Sequence, residues 1–328
     1  MRKIFFHFAF SAMLLALCQS AGAQQPAKIP RIGVLVPGKP PTRPSLEGFR
    51  QGLRDLGYIE GQNIILELRW NDEENPERWA QLAGEVVRLK PDVILAGHSG
   101  ASIGAKKATA TIPIVMAAVG TDPVELGLVA SLARPSGNVT GMAFLGQELN
   151  SKRLELLTEA VRPAKRVAVL WLPLTAVGAI TLKDTEKTAR SLGIELQSLK
   201  VQTGDDLDKA FQAATRAKAR AVLITQGGLF ATYRAQTAEL ALKSRLPTIG
   251  GEAGFVEAGG LMFYGANIPE AWRRAAHYVD RILKGAKAAD LPVQIPTKFE
   301  LRINLRTAKA LGLTIPRSLL LRADQIIE

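Results

Sequence analysis

The sequence predicts an α/β protein of two Rossmann-like lobes, each wound around a parallel central sheet, joined by a three-crossing hinge. Three observations carry this. Apolar strand-like runs alternate with amphipathic helices, which is the pattern of a parallel sheet with helical crossovers. The whole pattern occurs twice along the chain. The segments that neither copy needs for itself account for three passages between the copies.

The first copy opens with Arg31–Val36, a nearly continuous apolar run of the kind covered on both faces. The helix after it carries Leu46, Phe49, Leu53 and Leu56 on one face. Gly57 supplies the permissive residue just past its end. A strand at Ile64–Leu68, a helix to Lys90, a strand at Asp92–Ala96, a short helix and a strand at Ile112–Met116 follow. The second copy repeats the order with strands at Arg166–Trp171, Ile194–Leu199, Ala221–Ile224 and Leu246–Ile249 and helices to Gly193, Ala217 and Arg245. Strands one, three and four are displaced by about 135, 129 and 134 positions. Arg54-Asp55-Leu56-Gly57 closes the first helix of one copy, and Arg190-Ser191-Leu192-Gly193 closes that of the other. Thr203-Gly204-Asp205-Asp206 opens the helix of Leu207, Ala210, Phe211 and Ala214 and resembles a capping box.

Between the copies, Gly137–Phe144 reads as a turn and strand leading to a helix from about Ser151 to Val161, with a crossing at Phe144–Glu148. After the second copy come a strand between glycines at Gly259–Gly265, a helix at Glu270–Leu283, a turn at Pro292–Pro296 and a strand at Lys298–Asn304. The lobes are therefore expected at residues 29–144 plus 266–295 and at 146–264 plus 298–328.

Residues 1–23 read as a secretory signal: Arg2 and Lys3, the apolar stretch Ile4–Leu17, and the small residues Ala21-Gly22-Ala23. About 14 apolar residues fall short of the roughly 20 that a bilayer core requires. Cys18 would be a lipid-anchor site, but Leu17 before it is not small. Cleavage is expected to leave a periplasmic chain starting at Gln24. That chain of 305 residues has no cysteine, hence no disulfide, thiolate nucleophile or zinc-cysteine site. Its charge is +10, the +12 of the full sequence less Arg2 and Lys3. The basic residues are scattered over helix faces rather than clustered, which speaks against a nucleic-acid partner and leaves long-range attraction to anions.

Catalytic sets are hard to assemble. Only His98 and His277 survive removal of the leader, no Gly-x-Ser-x-Gly elbow accompanies them, and they lack the i,i+4 metal spacing. His277 reads as a surface or packing residue. The first strand is followed by Pro37-Gly38-Lys39-Pro40-Pro41 rather than the dinucleotide fingerprint, and no P-loop occurs. No metal or cofactor is expected.

Open parallel sheets bind ligands beyond the carboxyl ends of their strands, so those loops supply the candidates. His98-Ser99-Gly100-Ala101-Ser102 opens a helix, whose unpaired N–H groups and dipole attract anions. Simple N-capping explains the same residues, and His98 is open to ligand contact or loop packing. Gly120 and Thr121 follow the fourth strand; Asp122 reads as a cap for a helix starting at Pro123. Gln226, Gly227 and Gly228 follow the third strand of the second copy, and Glu252 the fourth.

Four stretches carry a family resemblance: Thr111–Val115, Asp122–Gly141, Phe255–Met262 and Thr307–Pro316. The chain resembles a type I periplasmic solute-binding protein, and more narrowly the ABC transporter substrate-binding family that includes the tryptophan-type binding proteins. The resemblance implies a non-catalytic, monomeric receptor that captures a small amino-acid-like or carboxylate solute by lobe closure and delivers it to ABC permease subunits in the inner membrane. It implies that Ser99, Ala101, Ser102 and Thr121 hold a carboxylate and Glu252 an ammonium. Relatives often carry an acidic residue where this chain has Gly227 or Gly228, a departure that speaks against a standard amino acid. Two alternatives stand beside this reading. A sensor would report closure to a signalling partner, and an exported enzyme on the same fold would need an acid/base pair, for which only Asp122 and Glu252 offer themselves.

Overall fold

The computed structural model describes residues 28–38, 44–71, 75–144, 146–173, 176–296 and 299–328. The leader with Cys18, the Gln24 start, part of Pro37–Pro41 and of the Phe144–Glu148 crossing, and Lys298 lie outside the described residues. In chain order the first elements are β1 (Arg31–Pro37), α1 (Pro44–Asp55), β2 (Ile65–Asn71), α2 (Pro76–Arg88), β3 (Val93–Ala96), α3 (Ser99–Ala108), β4 (Ile114–Val119) and β5 (Val139–Ala143). Then come α4 (Gly146–Ala160), β6 (Arg166–Trp171), α5 (Ala176–Ser191), β7 (Glu195–Lys200), α6 (Asp206–Arg216), β8 (Ala221–Ile224), α7 (Gly228–Thr232), α8 (Arg234–Lys243), β9 (Thr248–Gly250), α9 (Gly254–Glu257) and β10 (Met262–Ala266). The last are α10 (Ile268–Leu283), β11 (Phe299–Asn304), α11 (Leu305–Ala310), α12 (Arg317–Leu320) and β12 (Gln325–Ile327).

The first sheet has the order β2-β1-β3-β4-β5, all parallel. The second has the order β7-β6-β8-β9-β10, the same arrangement, extended by β11 and β12. Among the described residues only the β10–β11 pair is antiparallel. The internal duplication read from the sequence is thus a duplication of strand order.

Alternation along each strand sends side chains to two opposed helical layers. In the first sheet Ile32, Val34 and Val36 pack with Leu46, Phe49 and Leu53 of α1 and with Trp272, Ala275 and Val279 of α10. Leu35, Ile94 and Ala96 pack on the other face with Trp79 and Leu82 of α2 and Ala101 and Ala105 of α3. Helices α1 and α10 meet backbone to backbone: a Cβ on Gly48 or Gly52 would come within 2.3 Å of the carbonyl oxygens of Pro269 and Arg273. The second sheet is layered in the same way, with α4, α11 and α12 on one face and α6 and α8 on the other.

Strand β4 begins two residues later than its apolar run suggests and ends later too. The Asn138 amide donates to the carbonyls of Thr109 and Ile112 at 3.1 and 2.9 Å, holding that stretch as a loop. The ladder with β3 and β5 starts at Ile114 and sets the register. Helix α4 starts at Gly146, more than a turn before Ser151. The expected capping box forms by half. The Asp206 carboxylate accepts from the N–H groups of Gln202 and Thr203 and from the Thr203 hydroxyl, which therefore points at a carboxylate rather than at a helix N–H.

The chain links the two sheets three times: from β5 into α4, from β10 into α10, and from Gln294 into β11. Before the last link, Leu291 to Gln294 runs along β5. There the Thr140 hydroxyl donates to the Leu291 carbonyl at 2.5 Å and the Ala143 N–H to the Gln294 carbonyl at 2.9 Å. Among the described residues no helix is long and apolar enough to cross a membrane.

Candidate functional site

Four strand ends, those of β3, β4, β8 and β9, open onto one cleft between the sheets, with about 970 Å³ of empty space including its mouth. That is the scale of a site for a small organic molecule. From the first lobe the cleft is lined by Pro37, Ala118, Phe144, Ile268 and Trp272, with His98, Ser99, Gly100 and Gly120 at the strand ends. From the second it is lined by Asn150, Arg153, Leu172, Thr225, Gln226, Gly227, Gly228 and Glu252, with Gly178 and Thr181 of α5.

The start of α3 is capped from within. The His98 ring accepts the Ala101 N–H at Nδ1, 3.1 Å away, and stands edge-on to Trp79 with centroids 4.9 Å apart. His98 therefore packs and caps while lining the cleft. Ser99 Oγ accepts the Gly120 N–H at 3.3 Å, tying the end of β3 to the end of β4. Ser102 is fully buried and its hydroxyl donates to the His98 carbonyl at 2.9 Å, the i−4 position of its own helix.

Of the four residues expected around a carboxylate, only Ser99 lines the cleft. Ala101, Ser102 and Thr121 are buried and do not line it: Ala101 packs in the core and the Ser102 hydroxyl is taken by its own helix. Asp122 Oδ1 accepts the Val124 N–H at 2.8 Å as a cap would, but residues 123–127 form a run of turns rather than the expected helix. His277 lies outside the cleft, on the exposed face of α10.

The residue that sequence reasoning missed is Arg153, on α4 just after the first link. Its side chain is 1% exposed. Nε donates to the Tyr264 carbonyl at 2.7 Å and Nη1 to Asn150 Oδ1 at 2.6 Å. Nη2 is buried and has no hydrogen-bond partner among the described residues. Burial pushes the Arg153 pKa down to about 10, against the opposing pull of the Glu252 charge and of Tyr264, so the group is cationic at neutral pH. A signal existed: Asn150 and Arg153 form a polar i,i+3 pair on the face of α4 that also buries Leu154 and Leu157. Phe144, Leu172 and Trp272 were also missed, each reading in sequence as ordinary core.

The expected site residues His98, Ser99, Gly100, Gly120, Gln226, Gly227, Gly228 and Glu252 are brought to one cavity. Among the described residues no three His, Cys, Asp or Glu side chains come together as a metal site. A pocket between two predominantly parallel sheets at the carboxyl ends of their parallel strands, with three links for a hinge, defines a type I periplasmic binding fold. The chain belongs to the ABC transporter substrate binding protein family, whose model matches residues 31–327. It is similar to a tyrosine-binding protein of Clostridioides difficile strain R20291, 29% identical over 275 residues that make up 82% of this chain and 78% of the relative. Among solved structures it resembles a conserved domain protein from Vibrio cholerae, with a TM-score of 0.83 and 29% identity over 91% of this chain and 100% of the other. It also resembles the Streptococcus pneumonia ABC domain in complex with L-Trp, with a TM-score of 0.79 and 26% identity over 90% of this chain and 100% of the other.

Proposed function

We propose that the protein is the periplasmic solute receptor of an ABC importer, and that it captures an amino-acid-like solute with a substantial apolar body. The observation that carries this is the cleft itself: an apolar wall of Phe144, Trp272, Ile268 and Leu172 faces a few polar groups at the strand ends of both lobes. Such a lining selects a small solute by shape and orients it by its polar end. The relatives named for tyrosine and solved with L-Trp support an aromatic side chain.

In this reading the lobes are 29–144 plus 266–295 and 146–264 plus 298–328, and they rotate about the three links to close on the solute. His98, Ser99, Gly100, Gly120, Gln226, Gly227, Gly228 and Glu252 contact it, with Glu252 taking an ammonium group. The leader directs export, and a permease in the inner membrane recognises the closed form.

A thermal-shift screen against the amino acids, small carboxylates, nucleosides and sugars tests it. A solute at about 100 times its dissociation constant should add about 2.7 kcal/mol of stability. The same solute should compact the protein in small-angle scattering. A panel that leaves the melting temperature unchanged, or a bound solute that leaves the scattering profile unchanged, would count against the proposal.

A further inference from the structure

The two lobes line the cleft with different chemistry. Among the described residues, the charged side chains of the lining are Arg153 and Glu252, and both belong to the second lobe. The largest side chains that the first lobe brings to the lining are Phe144 and Trp272. Its helix start, the expected anion site, is engaged by its own neighbours: the His98 ring takes the Ala101 N–H, the His98 carbonyl takes the Ser102 N–H, and Ser99 Oγ takes the Gly120 N–H.

Arg153 differs from that helix start. Two hydrogen bonds, to Tyr264 and Asn150, fix the guanidinium plane, so its last amino group is held in place rather than searching. Nη2 is buried and has no acceptor among the described residues. A buried charged donor left unmade is unfavourable, and a guanidinium edge matches a carboxylate in geometry and charge. The charge of Glu252 acts on Arg153, so the pair is close to neutral as a unit. A solute carrying only one charge would leave a net charge in a closed, poorly hydrated cleft, which is costly. A zwitterion would not.

We infer that the second lobe alone holds both charged ends of a zwitterionic solute, with Arg153 Nη2 binding the carboxylate beside Glu252 at the ammonium, while Phe144 and Trp272 of the first lobe close over the apolar side chain. This rests on the receptor reading and reassigns its carboxylate site from the start of α3 to Arg153.

The test is calorimetric titration of wild type, Arg153→Lys and Arg153→Gln with each L-amino acid and its α-amide. Wild type should bind the free acid of its best amino acid roughly 10- to 100-fold more tightly than the amide, as expected for hydrogen bonds to a charged group. Arg153→Gln should bind acid and amide alike. Arg153→Lys, which keeps the charge and loses the fork, should retain only part of the preference. A folded Arg153→Gln that still prefers the acid overturns the inference. So does wild type binding the amide as well as the acid, a readout that stands even where a variant fails to fold. If wild type binds none of the amino acids, the zwitterion assignment falls. If it binds no solute of any class in the wider screen, the receptor reading falls with it.

Discussion

A methyl group on Gly251 would stand 3.0 Å from both Cζ and Nη2 of Arg153, so the bare α-carbon at the end of β9 is what lets the guanidinium lie against the strand. Arg153 cannot yield easily, because the Tyr264 carbonyl and Asn150 hold it from other sides. Gly251→Ala should therefore displace the guanidinium at a stability cost of about 1–3 kcal/mol, the range for overpacking. Solute affinity should fall while the circular dichroism spectrum stays native. Unchanged affinity and melting temperature would show that the contact has slack.

Ser99 and Ser102 should separate. The Ser102 hydroxyl bonds its own helix and does not line the cleft, so Ser102→Ala should leave solute affinity within about twofold and cost about 1 kcal/mol or less. Ser99→Ala removes the acceptor for the Gly120 N–H at the rim and should weaken binding measurably. Calorimetry on both variants decides; equal losses would put Ser102 back at the solute.

Glu252 lines the cleft in the same lobe as Arg153. Glu252→Gln keeps the shape and removes the charge, leaving Arg153 without its neutralising neighbour. Amine-bearing solutes should lose affinity by roughly 10-fold or more, while deamino analogues should bind as well or better. A verified amino-acid ligand that binds both forms equally would remove Glu252 as the ammonium partner.

Asp206 gives a pH prediction at the start of α6. The backbone N–H groups of Gln202 and Thr203, with the Thr203 hydroxyl, hold its carboxyl below the usual range. A depressed carboxyl stabilises the fold above its unfolded value of about 3.9, and that contribution is lost as pH falls through the folded value. Asp206→Asn should melt earlier than wild type at pH 7 by a few tenths to about 1 kcal/mol, small because the group is largely solvated. The two stabilities should converge as the pH is lowered through the folded value, and a gap that persists once the carboxyl is protonated would exclude the charge as its cause.

Residue patterns that are local in the chain were readable from the sequence alone. Strands β1, β6 and β8 lie where their apolar runs place them, since a strand buried on both faces needs a continuous run and little else. Gly57 and Gly193 close their helices with φ of +85° and +66°, a conformation that side chains disfavour. The duplication, too, was legible, because two copies of one pattern pack by the same rules into the same strand order. Register was not: β4 shifted because Asn138, distant in sequence, engages the Thr109 and Ile112 carbonyls.

The candidate site divides along the same line. The loops at strand ends were identifiable, since chain order determines which residues follow a strand. Which of their side chains line the cleft depends on helix phase and on neighbours brought in from elsewhere, and that left Ser102 and Thr121 buried outside the lining. Arg153 is the clearest case. In the sequence it is one basic residue among 42. Its burial comes from α4 packing against β10, which places the Tyr264 carbonyl 111 positions away at hydrogen-bonding distance from Nε. A local pattern thus specified the two sheets and the loops at their ends, while the charge in the cleft was decided by tertiary packing, because desolvation and hydrogen-bond partners exist only once the distant segments have met.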